Sequence, residues 1–356
     1  MELYLALFLI TTILVIFKEE PLRILGGFAA TLLIIMVVGL RGKQVGVDTH
    51  CYYEIFWNSS PLTYNAQGHY WANHLEPLFK LLNQCVFWGG GGPEALIFIS
   101  ALITVGFIAY TIYRYSPSIL LSLVLFYSVF GPFMAMHNIM RQWIAGAIVF
   151  YSIKFIIQKK LVLFLITIAV AAGFHFSALV FWPIYFLSKI NYKTTSLAII
   201  WLISLAFVSK PDTALLVLEK VLFFIPKQYA WAIFDPRFNP AREDLGLVLI
   251  FKQLIFLYLL YAYNKIKVPE YKMIVLLSII GIIFGNLFAN VRYVGRANIY
   301  FSVFTILALP MAIHYTFKRY ERVLASFSLY FLCTILFLRQ LTADAHDIFP
   351  YRTIFN

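Results

Sequence analysis

Charge is what this chain has least of. Asp, Glu, Lys and Arg make up 12% of its 356 residues while hydrophobic residues make up 62%, against about a quarter charged and about half apolar in soluble domains. That balance excludes an ordinary water-soluble core. It leaves an all-α polytopic membrane protein, in which one helical bundle takes up residues 1–356 as a single transmembrane domain. Cysteine is also scarce. Cys51, Cys85 and Cys333 show no metal-type spacing, so neither redox chemistry nor a zinc site is indicated; Cys51 and Cys85 share one loop, and whether they pair stays open. The run Gly89 to Gly92 before Pro93 lacks the Lys and Ser/Thr of a phosphate-binding P-loop, which removes a nucleotide reading. Internal repeats and low-complexity tracts are missing. Met1 to Phe17 has no basic leader and no small-residue cleavage pattern, so it reads as a retained first helix. The net charge of +12 is spread between apolar runs instead of forming a stripe, which excludes nucleic acid and favours anionic lipid or a phosphorylated substrate.

What the chain does have is apolar runs of spanning length, roughly 17 to 25 residues. Ten are expected, near Leu3–Phe17, Leu22–Leu40, Glu94–Tyr113, Ser118–Met136, Gln142–Ile157, Thr194–Ser209, Leu245–Tyr263, Tyr271–Leu287, Ala297–Tyr315 and Val323–Leu338. With the N-terminus outside, the loops carrying Lys18 and Arg23, Arg114, Lys159 and Lys160, Lys189 and Lys193, Lys265 to Lys272, and Lys318 to Arg322 all face the cytoplasm, as positive-inside bias requires. The same bias demands an even number of passes between Lys160 and Lys189. Residues 161–188 therefore read as a pair of short helices, spanning or re-entrant, with His175 at the outer turn, where non-helical backbone survives only against protein or a wet cavity. Two long outer loops remain, near 41–93 and 210–244, and connections of that size commonly carry function.

One asymmetry follows. Nine of the 16 lysines fall in cytoplasmic loops, whereas eight of the 12 arginines fall on the outer side. Lysine suffices for topology, so outer arginine calls for another explanation, and recognition of phosphate or carboxylate by the guanidinium fork supplies one. The candidates stand in six groups. Arg41, Gly42, Gly46, Asp48 and Thr49 open the first loop, with Asp48 able to pair with Arg41 or to act as a base. His69, Trp71, His74 and Glu76 follow: the aromatics read as sugar-stacking residues or simply as an interfacial belt, and the two histidines with Glu76 as a zinc set that their five-residue spacing disfavours. His137, Asn138, Arg141 and Gln142 cluster donors beside a helix start, which suits an anion. Arg292 and Arg296, flanking Tyr293, are four apart; on a helix both forks would meet one pyrophosphate, and without a shared anion they would repel. His175, between Phe174 and Phe176, is either a packed core histidine or a proton carrier. The second loop adds Lys227, Asp235, Arg237, Arg242, Glu243 and Asp244, read as a solvated lid or a second binding surface.

In this order the pieces resemble a family: the Wzy-type polymerases of bacterial O-antigens and exopolysaccharides, in particular the EpsG branch. Carrying the resemblance are Arg41 through Gly46 with Asp48, Thr49 and Tyr52; Glu76 with Pro77 and Leu78; Ile139 with Arg141, Gln142 and Ala145; His175 with Ser177 and Ala178; and Arg292 with Tyr293. The resemblance implies a multi-pass glycosyltransferase of the bacterial inner membrane with its site facing the periplasm. Its substrate would be an oligosaccharide repeat unit on undecaprenyl pyrophosphate, serving as donor and as acceptor, with neither metal nor cofactor. Membrane lipids and a chain-length regulator protein are the further partners implied, and lipopolysaccharide is one destination of such polymers. Asp48, His175 and Arg141 are the expected catalytic residues, and Arg41, Glu76, His137, Gln142, Arg292, Tyr293 and Arg296 the expected substrate-binding ones. Arg141, Arg292 and Arg296 would hold the pyrophosphate with Arg41 in support, because preorganised cations stabilise the charge of the leaving group; Asp48 and His175 are alternative bases. Two other classes share an outward basic cavity or a histidine. A transporter or flippase of lipid-linked sugars would place polar residues near the bilayer midplane, and a membrane acyltransferase would draw its donor from the cytoplasm.

Overall fold

With no water inside a bilayer, a chain this apolar must satisfy its backbone within each segment, and the result is helical. The computed structural model describes residues 1–17, 19–59, 75–209, 211–221, 233–234, 246–344 and 346–355. Among them there is no β-strand, only an isolated antiparallel bridge between Arg41 and Thr353. Six helices are long and apolar enough to cross a membrane, or seven if a bent pair at 194–220 counts as one span. Several helices open on proline, at Pro21, Pro77, Pro93 and Pro269, where a missing N–H costs nothing.

The packing resolves into two compact units. The first comprises Met1–Trp182 and Arg319–Asn356. It contains α1 (Glu2–Leu14), α2 (Glu20–Gly39), α3 (Thr49–Asn58), α4 (Pro77–Trp88), α5 (Pro93–Tyr115), α6 (Ile119–Tyr127), α7 (Met140–Ile157) and α8 (Leu161–Phe174). At its centre α7 is buried nearly all round, through Trp143, Ile144, Ala147, Phe150 and Ile153, between α5 and α8; α2 covers α5 and α1. The segment between α2 and α5 holds two short amphipathic helices. α3 buries Thr49, Tyr52 and Phe56 and α4 buries Phe79, Asn83 and Val86, residues three or four apart that share one face.

The expected span Ser118–Met136 is shorter in the structure. α6 stops at Tyr127, because Gly131 and Pro132 cannot continue it; Phe133 N–H turns back to donate to the Phe126 carbonyl at 3.2 Å. The irregular stretch after α6 ends in a 3₁₀ turn, Ala135–His137. The helix pair at 161–188 is present: α8 ends at Phe174, His175 is extended (φ −156°, ψ 116°), and a 3₁₀ turn runs over Phe176–Phe181.

The second unit, Pro183–Lys318, contains α9 (Ile184–Leu187), α10 (Thr194–Ser209), α11 (Pro211–Val221), α12 (Leu247–Lys265), α13 (Pro269–Leu287), α14 (Arg292–Gly295), α15 (Ile299–Ser302) and α16 (Thr305–Thr316). α13 is its core, with α10, α12 and α16 around it. Three of these helices are joined by amides: Gln253 accepts from Trp201 Nε1 at 2.7 Å and donates to Asn286 Oδ1 at 3.0 Å, and Asn286 donates to Ser204 Oγ at 3.0 Å. Inside a membrane such closed polar links hold helices together where hydrophobic burial cannot. Lys272 reaches Asn191 at one end of the unit, a helix length from Arg292. Back in the first unit, α17 (Arg319–Ala343) packs on α6 and leaves Phe327 and Phe331 exposed, as lipid-facing side chains are.

Candidate functional site

Glu76 is the pivot of the end of the first unit at which α2 finishes and α7 begins. It immediately precedes α4 and is 6% exposed, a position an unpaired carboxylate would not tolerate. Two partners hold it. Arg141 Nη1, in the first turn of α7, donates to Oε2 at 2.6 Å, and His175 Nδ1, just past α8, donates to Oε1 at 2.9 Å. Close packing brings the elements together, for α4 lies on α8 and a Cβ on Gly173 would fall 2.6 Å from Leu78. Burial alone pushes the Glu76 carboxyl up, but the hydrogen bond from His175 and the charge of Arg141 outweigh it, and the pKa is drawn down to about 2. The carboxylate is thus charged at any physiological pH.

Arg141 and His175 stand nearer the surface, with side chains 23% and 20% exposed. Arg141 lies over the Phe79 ring at 5.8 Å and also hydrogen-bonds the buried Tyr52. The Tyr52 hydroxyl is pushed up by burial, against the pull of the Arg141 charge. With Nδ1 committed to Glu76, the imidazole keeps Nε2 for proton exchange. Asp48, half-buried at the N-cap of α3, acts on Tyr52 through its charge and forms no ion pair with Arg41.

Arg41 belongs to a second, sealed cluster. It is 1% exposed and its forks point inward, to the carbonyl of Val38, to the His137 carbonyl at 3.2 Å and to Thr49 Oγ1 at 3.5 Å. Burial lowers its pKa to about 10, still charged at pH 7. His137 is fully buried and its Nδ1 donates to the Phe133 carbonyl at 2.9 Å; burial first, then the Arg41 charge, lowers its pKa to about 3, so it is neutral. Gln142 is likewise buried, at 4%. In this structure Arg41, His137 and Gln142 therefore build the wall behind Arg141 and present no donor outward. A strap from far along the chain closes the cluster: Gly42 N–H donates to the Arg352 carbonyl and Gly46 N–H to the Asp347 carbonyl, both at 2.7 Å, and Asn138 donates to the His346 carbonyl at 3.2 Å.

Arg292, Tyr293 and Arg296 lie in the second unit, on a single turn of α-helix followed by a 3₁₀ turn, Arg296–Asn298. The side chains of Arg292 and Tyr293 lie outside the described residues, while Arg296 is exposed. Asn290 anchors this segment to the end of α10 by donating to the Phe207 and Val208 carbonyls at 3.0 and 3.1 Å. His69, Trp71, His74 and the group from Lys227 to Asp244 also fall outside the described residues. Cys51 and Cys85 are free thiols.

The family model described as the EpsG family matches residues 25–353, nearly the whole chain. The chain belongs to the EpsG family. No curated protein and no solved structure matches it. Membership of the EpsG family points to polysaccharide biosynthesis and is consistent with a glycosyltransferase-like polymerase. Sequence reasoning had not given this EpsG chain two features of its site. Tyr52 was legible only as part of the family pattern, although its place between Thr49 and Phe56 on one helical face signals burial. The strap at 346–354 carries no sequence signal.

Proposed function

We propose that this EpsG protein polymerises oligosaccharide repeat units carried on undecaprenyl pyrophosphate, at the periplasmic face of the bacterial inner membrane. The observation that carries the reading is the joint hold of Glu76 on Arg141 and His175, which sets a cation and a proton acceptor side by side at the rim of a membrane bundle. A hydroxyl of the incoming lipid-linked unit attacks the anomeric carbon of the growing chain. The hydroxyl proton passes to His175 Nε2, the bond from that carbon to the pyrophosphate oxygen breaks, and lipid pyrophosphate leaves with the electron pair. Arg141 faces the charge that builds on the leaving oxygen, and such preorganised stabilisation is commonly the largest single contribution to catalysis. Fixing imidazole and guanidinium on one buried carboxylate supplies the positioning that the transfer needs. Of the two candidate bases, His175 is preferred to Asp48 because its ring is oriented by Glu76. Arg292, Tyr293 and Arg296, in the second unit, are assigned to binding of the lipid-linked substrate, and Arg41, His137 and Gln142 to support. A chain-length regulator and membrane lipids are the partners of this reading.

The test is a gel of surface polysaccharide from cells carrying Arg141→Ala. Expression is expected to persist, the long-chain ladder to vanish, and single repeat units still to reach the surface. Loss of the single units as well would favour a transporter, the reading that the amide cluster of Gln253 and Asn286 inside the second unit would then serve; an unchanged ladder would remove Arg141 from the chemistry.

A further inference from the structure

At the opposite end of the first unit, between α2 and α5, lies a groove that the polymerase chemistry does not use. Its mouth is a cavity of about 380 Å³ with Arg23, Phe28, Gly106 and Tyr110 in its lining, and it continues past Thr31 and Tyr113 into a narrower cleft that ends among Ile34, Leu123 and Phe126. The two hollows share Thr31, Ala109, Tyr113 and Ile119, so they form one continuous slot. Its chemistry is graded. Arg23 is exposed at the outer margin and enters no ion pair among the described residues, and Lys154 stands 5.7 Å from the Tyr110 ring. No carboxylate lines the slot, and beyond the Tyr113 and Thr31 hydroxyls, which bond each other, the walls are apolar. From Arg23 to Ile34 the groove follows eleven residues of α2, about 16 Å at 1.5 Å per residue. That is half of the ~30 Å hydrocarbon thickness, the depth of one leaflet.

We propose that this groove is a binding site for a single anionic phospholipid of the leaflet at the Arg23 end, cytoplasmic by the lysine bias of the loops. Arg23 takes the phosphate as a charge-assisted fork, and one acyl chain lies along Gly106 and Ala109 toward Phe126. The missing side chain at Gly106 makes the room: a Cβ there meets no atom within 4 Å.

The full chain, purified in detergent and offered phosphatidylglycerol, is expected to retain one lipid per chain in native mass spectra. Arg23→Ala, which loses the phosphate grip, and Gly106→Leu, whose Cβ meets no atom within 4 Å and whose side chain enters the slot, are each expected to cut retention at least tenfold with thermal stability unchanged. Diacylglycerol of the same chains, lacking the phosphate, is expected not to be held. Retention by both variants at the wild-type level overturns the proposal, and so does equal retention of diacylglycerol. Displacement of phosphatidylglycerol by equimolar polyprenyl phosphate would give the groove to the lipid-linked substrate instead and also overturns it.

Discussion

Replacing Glu76 by glutamine keeps the shape of the side chain and removes its charge, which makes Glu76→Gln the sharpest probe of the Glu76 site. The carboxylate is 6% exposed and holds Arg141 at 2.6 Å and His175 at 2.9 Å. The fall of its pKa from 4.5 to about 2 corresponds to about 3 kcal/mol of preference for the charged form, the same order as the ~3–5 kcal/mol lost when one member of a buried pair is removed. Because Arg141 is 23% exposed, water offsets part of the loss, and a destabilisation of about 2 kcal/mol is expected in thermal or denaturant unfolding. The effect on turnover should be larger. A carboxamide offers His175 and Arg141 a neutral partner with a single acceptor oxygen in place of two charged ones, so the positioned base and cation are both weakened; a base alone contributes about 10² to 10⁴ in rate. Elongation of a purified lipid-linked repeat unit, followed as a product ladder, is expected to slow by about 10² or more. Turnover within threefold of wild type, with unfolding unchanged, would falsify the idea that Glu76 organises the site.

Acid should act through the same group. A carboxyl whose folded pKa lies below its unfolded value stabilises fully above about 4.5 and loses that contribution as pH falls toward 2, so the unfolding midpoint of the wild type should drop across this window while that of Glu76→Gln drops less; parallel curves would contradict the assignment. Gly46 has φ +96°, and a Cβ would lie 2.8 Å from both Asn138 Oδ1 and the His137 carbonyl, so Gly46→Ala should cost about 1–2 kcal/mol from the backbone alone and more from the clash, read as a lower melting temperature. Asn286→Leu removes the link between Gln253 and Ser204 while leaving each its remaining partner; a loss of about 1 kcal/mol is expected, with the polymer ladder otherwise intact, and a vanished ladder in a stable variant would give that network a direct role.

The helical class, and the break at His175, were legible because both rest on local quantities: long charge-free runs and a helix pair bounded by lysines. The shortened α6 was less so, since a run from Ser118 to Met136 is apolar enough to span and only Gly131 with Pro132 argues otherwise. Among the site residues, sequence placed Arg141, His175 and Glu76 on separate segments without joining them, because contacts between residues 76, 141 and 175 depend on packing that no local pattern encodes. Arg41 shows the opposite limit. Its position past a span suggested a ligand, yet the structure turns its forks onto backbone carbonyls, an outcome that charge bias alone could not distinguish from anion binding.

The strap over the Arg41 loop carries a consequence for biogenesis. Gly42, Gly46 and Asn138 find their partners at Arg352, Asp347 and His346, residues that leave the ribosome long after the first loop has been made. Until then the loop is held only from its own side, by the Val38 and His137 carbonyls, so a nascent chain inserted only through α7 would lack the strap's three contacts. Tags or fusions placed just after this strap bear on maturation of the protein as well as on its detection.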